Sequence, residues 1–270
     1  MISNNQKEKL LEEWLTSGMI LNYPNVSEPV THFMRRTDNK RWMQLLGAAT
    51  GVFLGRGYKR TQMADITEAM GLSAGAIYRY VESKEALFDL VVRSSTGMEL
   101  ETSELVPPIA TPRPGATLAF LRKTLKREGR IASLDSALAR AKIDDAGSEF
   151  ETIVRELYAK TVQFRVGIKL LDRSALDWPE LAALWSGHWR AGLVNQLSRY
   201  LDLRISQRLL SPVPDTKAWG RFIVETVAFF ALHRHYDPFP TAMSETVAED
   251  TVVLALIRAT HGEVHRKRAK

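Results

Sequence analysis

The chain has 270 residues, with 37 Lys+Arg against 31 Asp+Glu, 6 His and no Cys. A hydrophobic share of 45% and a charged share of 25% exclude a disordered chain, a collagen-like repeat and a disulfide scaffold. Lack of Cys removes zinc ribbons, thiol redox chemistry and Cys nucleophiles, while the net charge of +6 leans towards a polyanionic partner.

The first residues have no apolar core of the signal-peptide kind, and later apolar runs are too short to span a bilayer. The expectation is a cytoplasmic protein without a membrane partner. Residues 1–34 form an acidic extension, with Lys7 and Lys9 against Glu8, Glu12, Glu13 and Glu28. Leu10, Leu11, Trp14 and Leu15 lie on one side of a possible helix there, before a loop with Pro24 and Pro29.

Residues 35–93 hold ten basic residues against six acidic ones, so most of the excess charge sits in this short stretch. A first helix is predicted from about Lys40 to Gly55, with Leu45, Leu46, Ala49, Val52 and Phe53 as its buried stripe. Met63, Ile66, Ala69 and Met70 then read as the inner face of a short helix with Thr61 at its N-cap. Gly71 stands where a helix ending in the left-handed conformation needs a residue without Cβ. Ser73 would cap a second short helix with Ile77 and Val81 inside, and the small Ala69 would let the two approach. Helix, tight Gly turn, helix is the helix-turn-helix unit, whose second helix enters the DNA major groove. On its outer face Ala74, Gly75 and Ala76 are small enough for close backbone approach. Tyr78, Arg79 and Tyr80 offer donors and flat surfaces to phosphates and bases. Ser83 would cap the next helix, with Lys84 beside its positive end.

These residues carry a resemblance. Phe53, Gly57-Tyr58, Thr61, Ile66, Ala69, Gly71-Leu72-Ser73, Gly75, Ile77-Tyr78, Ser83-Lys84-Glu85 and Leu87 resemble, in order and spacing, the amino-terminal domain of the tetracycline-repressor (TetR) family. The resemblance covers roughly Arg41 to Val92. It implies an all-α, homodimeric bacterial transcription factor, usually a repressor released from a palindromic double-stranded operator by a small molecule. By the match, Thr61, Tyr78 and Lys84 would contact phosphates. Ser73, Ala74, Gly75, Ala76, Arg79 and Tyr80 would read bases or adjoining phosphates. Two departures stand out: the extension before Arg35 is longer than usual, and Val81 replaces the common aromatic.

Residues 94–115 read as a connecting helix end and linker, with Pro107, Pro108, Pro112 and Pro114 marking a junction. Residues 116–270 read as a helical effector-binding and dimerisation domain. Phe150, Ile153, Leu157, Thr161, Phe164, Ile168 and Leu171 predict one long amphipathic helix. A second holds Leu181 to Leu201, a third runs from Trp219 to about Tyr236, and a fourth from Glu245 to Thr260. Family ligand residues do not transfer to this divergent region, so only its chemistry can be read. Tyr158, Phe164, Trp178, Trp185, Trp189 and Phe229 would suit an apolar cavity for an apolar or aromatic ligand, with His188 or His233 as polar anchors. Each aromatic taken singly reads better as core; only the set as a whole points to a ligand. Phe222, Ile223, Val227 and Phe230, with Val253 and Ile257 on the fourth helix, would pair two copies across a two-fold axis. The alternative is a wholly internal helix.

Gly71-Leu-Ser73-Ala-Gly75 also matches the serine-hydrolase elbow, but a helix precedes it where that motif needs a strand. His261 and His265 have metal-helix spacing without the zincin Glu, and His233 and His235 diverge on a helix. The run Arg122, Lys123, Lys126, Arg127 and Arg130 reads as a solvated face. No catalytic constellation, metal site or cofactor loop is found, so the expectation is a regulator rather than an enzyme. The rival reading is a DNA-binding regulator controlled by a protein partner on the amino-terminal arm, with no small-molecule ligand.

Overall fold

The computed structural model describes residues 36–73, 75–96, 106–143 and 145–261. The fold is all-α: among the described residues there is no strand, and the one β-type pairing is an isolated bridge between Val81 and Ile109. No helix among them is long and apolar enough to cross a membrane. The chain divides into two compact units, residues 1–124 with 166–183 and residues 125–165 with 184–270.

In the first unit, α1 (Arg36–Arg56) carries the predicted stripe, and Leu45, Leu46, Ala49, Val52 and Phe53 are all buried. It begins four residues earlier than the apolar pattern indicates. α1 packs on α2 (Met63–Ala69) and on α3 (Lys84–Ser94), where Phe53 meets Phe88 edge to face at 5.1 Å. Ser83 caps α3 by accepting from the Ala86 amide, as its position predicts. The Pro-rich segment is no free junction. The Ile109 amide donates to the Tyr80 carbonyl at 2.8 Å, and the Glu82 amide donates to the Ile109 carbonyl at 3.0 Å. Thr111 adds bonds from its amide to the Glu82 carboxylate and from its hydroxyl to Ser83 Oγ. A strap of chain is thus hydrogen-bonded to the residues that follow the helix-turn-helix. α4 (Ala116–Glu128) starts beyond it and is tied back by Thr117, whose hydroxyl donates to Asp89.

The second unit is built on α5 (Ala132–Ala139), α6 (Ala146–Gln163), α9 (Ala191–Ser206), α10 (Thr216–Ala231) and α11 (Glu245–His261). Its core joins Phe150, Ile153, Leu157, Leu197, Tyr200, Ile223, Val227, Val252 and Leu256. The long helix expected from Phe150 to Leu171 is two helices. Phe164 leaves helical geometry at φ −104°, ψ 18°, and α7 (Arg165–Ala175) follows. Apolar spacing alone hides that break, because the stripe continues in phase on both sides. The helix expected around Leu181 to Leu201 is a short α8 (Pro179–Ala182), a π-helical segment Ala183–Arg190 and then α9. Trp185 and Trp189, four apart within this segment, stack at 4.6 Å with an 8° interplanar angle. The third predicted helix ends at Ala231, and His233–Tyr236 is a separate 3-10 turn.

Candidate nucleic-acid interface

The turn between the two short helical pieces rests on Gly71, at φ +63°. An added Cβ would meet no atom within 4 Å, so the requirement for Gly there is one of backbone conformation, not of space. The first piece, α2, is capped by Gln62 rather than Thr61. The Gln62 amide donates to Asp65 Oδ2 at 2.7 Å as half of a capping box. Thr61 is buried, and its hydroxyl donates to the Gly57 carbonyl at 2.8 Å, which holds the turn after α1. The inner face of α2 is Ile66 with Thr67. Ala69 is exposed, so it does not mediate the predicted close approach.

The second piece is a single 3-10 turn, Ala76–Arg79, shorter than the helix expected, and Ser73 provides no side-chain cap to it. Instead the Ser73 carbonyl accepts from the Ala76 amide. Ile77 and Val81 are buried as predicted. Ser73, Gly75, Tyr78 and Arg79 are exposed, Tyr78 by 50%, and Ala76 is half-buried. Tyr80 is turned inwards, edge to face with Trp42 at 5.3 Å. Ala74 lies outside the described residues. An exposed edge with one phenol and one guanidinium is thus held against a core of Ile66, Ile77 and Val81.

Lys84, the first residue of α3, is half-buried. Its Nζ donates to the Thr61 carbonyl at 2.8 Å and lies 4.8 Å from the Tyr58 ring centre. Burial lowers its pKa, with the Glu85 carboxylate acting in the opposite sense. Tyr58 donates to Glu85 at 2.8 Å, and burial with that carboxylate raises the phenol. Around it Phe53, Phe88 and Trp178 complete an aromatic cluster, Trp178 at 5.0 Å from Tyr58. Two further bonds fix this corner: Arg173 Nε to the Gly55 carbonyl and the Tyr58 amide to Ser174 Oγ. Gly57 adopts φ +79°, and a Cβ there would lie 3.1 Å from the Arg173 carbonyl oxygen.

The residues expected to line a ligand cavity are divided between the two units. Trp178 belongs to the first unit, against Tyr58 and Phe88. Phe229 is 48% exposed and His188 is exposed. Trp185 is buried under its stack with Trp189, Phe164 marks the helix break, and His233 is half-buried in the 3-10 turn. Tyr158 is in the core and donates to Glu245 Oε1 at 2.6 Å. Of the predicted pairing residues, Ile223, Val227 and Val253 are core of their own subunit, and Phe230 and Ile257 are half-buried against it. Phe222 is exposed by 48%, and with Phe229, Val247 and Leu254 it forms the exposed apolar set on α10 and α11. Phe222 and Phe229, seven apart, share one face of α10.

Two groups escaped the sequence reading. Arg204 is fully buried, and its five N–H donors are matched: two to Glu149, and one each to the Ala137 carbonyl, the Arg140 carbonyl and Gln207. Its place on the Leu197–Leu201 stripe was the available signal. The other is a cluster around Glu245, fed by residues distant in sequence.

Residues 45–91 match the family model described as bacterial regulatory proteins, tetR family. The chain is 36% identical over 61 residues to the uncharacterized HTH-type transcriptional regulator YfiR of Bacillus subtilis (strain 168), spanning 23% of this chain and 29% of that protein. Among solved structures, the ketosteroid transcriptional regulator KstR2 of Mycobacterium tuberculosis is 16% identical, with a TM-score of 0.49 over 82% of this chain and 95% of that one. The regulator FadR of Bacillus subtilis in complex with stearoyl-CoA is 15% identical, with a TM-score of 0.42 over 82% and 100%.

Proposed function

We propose that this chain, whose amino-terminal domain is of the tetR family of bacterial regulatory proteins, is a homodimeric DNA-binding regulator that a small molecule releases from a palindromic operator. The observation that carries the reading is the left-handed turn at Gly71, which sets α2 beside a 3-10 turn presenting Tyr78 and Arg79 to solvent. Ser73, Gly75, Ala76, Tyr78 and Arg79 would face the groove and its phosphates. Thr61 is buried and Tyr80 turned inwards, so both would act on affinity through the geometry of that edge, while half-buried Lys84 would contact a phosphate.

Reading a palindrome needs two copies. The pairing surface would be the exposed line of Phe222 and Phe229 on α10 with Val247 and Leu254 on α11, since large apolar groups in rows seven residues apart are left uncovered on both helices. A ligand that favours a protomer conformation with the wrong separation of recognition turns would release DNA. The test is Arg79→Ala against a defined operator and single-base variants of it. Discrimination at one base pair should fall by about 1–3 kcal/mol with the others retained. Unchanged discrimination at every position would remove Arg79 from base reading.

A further inference from the structure

Two mostly buried guanidinium groups, Arg165 on α7 and Arg234 in the turn after α10, converge on one carboxylate. Arg165 and Arg234 each reach Glu245 Oε2, at 2.9 and 3.0 Å, and His235 Nε2 lies 3.4 Å from the same oxygen. The other oxygen, Oε1, accepts the Tyr158 hydroxyl. The remaining bonds of the arginines go to neutral carbonyls, Ala231 for Arg165 and Phe230 and Met243 for Arg234. Among the described residues Glu245 is the one carboxylate ion-paired with either arginine, so the cluster holds a surplus of positive charge. Charges this far from water are ordinarily matched one to one, because an uncompensated one is costly.

The cluster opens to solvent on its anionic side. The side chains of Arg165 and Arg234 are 19% and 12% exposed, whereas those of His235 and Glu245 are 30% and 38% exposed. His235 feels the surplus: burial and then Arg165 and Arg234 lower its pKa, more than Glu245 restores it. Glu245 is also held low, since hydrogen bonds from Tyr158 and Arg165 outweigh the effect of its burial. Planar guanidinium forks, an imidazole and a phenol around two oxygens are the donor set that proteins use for carboxylates and phosphates.

We propose that this cluster is an oxyanion receptor occupied in the unliganded chain by its own Glu245, and that the regulatory ligand carries an oxyanionic group that displaces it. The inference rests on the ligand-responsive reading above and names the ligand's chemical class. An incoming phosphate or carboxylate would take the Arg165 and Arg234 donors. Glu245, the first residue of α11, would swing into solvent. The first turn of α11 would lose its anchor to α7 and to the turn after α10, two residues before Val247 on the proposed pairing line. A ligand with an anionic group therefore fits this cluster better than a wholly apolar molecule.

The test uses the full chain without DNA and titrates inorganic phosphate, and separately acetate, at fixed ionic strength by calorimetry. Glu245→Gln removes the built-in anion and keeps the side chain's size. It should bind phosphate or acetate at least about tenfold more tightly than the native chain, and Arg234→Met in the same background should abolish the gain. A gain with acetate alone assigns a carboxylate ligand, and one with phosphate a phosphate ligand; either supports the receptor. No gain with either anion overturns it. Should Glu245→Gln lose its helical signal, the His235 ring resonance of the native chain gives the same information. Saturating phosphate should raise its titration midpoint, and an unmoved midpoint overturns the proposal. The regulator reading stands or falls separately: specific DNA binding without anion uptake would sink the receptor alone, and anion uptake without specific DNA binding would sink the regulator alone.

Discussion

Replacing Arg204 should be among the most damaging single changes in the second unit. Its side chain has no solvent exposure, and all five of its donors are used: Nε and Nη2 form a fork on Glu149 at 2.8 and 3.0 Å, and the rest bind the Ala137 and Arg140 carbonyls and Gln207. In Arg204→Met the stem volume survives, so little of the loss is packing. What remains is a Glu149 carboxylate 11% exposed without its partner and an Arg140 carbonyl, just past α5, without its Arg204 donor; the Ala137 carbonyl keeps the Arg140 amide. Removing one partner of a buried pair costs about 3–5 kcal/mol. At about 2–4 °C per kcal/mol for a unit of moderate size, Tm should fall by roughly 6–20 °C. The double change Glu149→Met with Arg204→Met removes the stranded charge and should recover part of that loss. It should stay below the native chain, because the Arg140 carbonyl left unpaired still costs about 1–3 kcal/mol. Urea unfolding followed by Trp fluorescence measures all three. A loss under about 1 kcal/mol for Arg204→Met, the size of an exposed ion pair, would refute the reasoning.

Four further outcomes are expected. Gly71→Ala should cost about 1–2 kcal/mol, the backbone penalty of a left-handed residue with open space around it. Gly57→Ala should cost more, because its Cβ also presses on the Arg173 carbonyl at 3.1 Å; equal losses by thermal unfolding would contradict that contact. Ile109→Pro removes the donor to the Tyr80 carbonyl and should speed amide exchange at Glu82 while leaving exchange in α1 unchanged. Unaltered exchange at Glu82 would show that the strap does not hold the recognition edge. Glu156 is held below its ordinary pKa of 4.5 because bonds from Ser133 and the Ala132 amide outweigh its burial. With the folded value below the unfolded one, its contribution is present above about pH 4.5 and is lost as pH falls through the lower folded value. Glu156→Gln should flatten the acid limb of the stability curve, and an unchanged slope would assign that limb to other carboxylates.

The recognition unit was legible because its determinants are local. Gly71, the Ile66–Ile77–Val81 core and the Ser83 cap lie within a few residues of one another, where spacing and capping chemistry suffice. Its misreadings are also local: Gln62 takes the cap from Thr61 because it pairs with Asp65, and the second piece closes as one 3-10 turn. The distribution of the aromatic residues was not legible. Hydrophobic spacing says that Trp178, Phe229 and Tyr158 are large and apolar, but it cannot say that Trp178 joins Tyr58, 120 positions earlier, or that Phe229 faces out. The inner face of α10 was not legible for a related reason, since its apolar residues circle the helix and the packing of α6, α9 and α11 selects the inner set. The Arg165–Arg234–Glu245 cluster is assembled from positions up to 80 apart, with no motif to announce it.

The most direct measurement is affinity for the DNA upstream of the chain's own gene against scrambled DNA of equal length, across a salt series. Many one-component regulators control their own promoters, which makes that fragment the first candidate operator. The account predicts a preference of about a thousandfold or more at physiological salt, surviving as the shared phosphate contribution is screened away. Equal affinities that fall together as salt rises would contradict it, leaving a basic surface that meets phosphates and reads no sequence in that fragment.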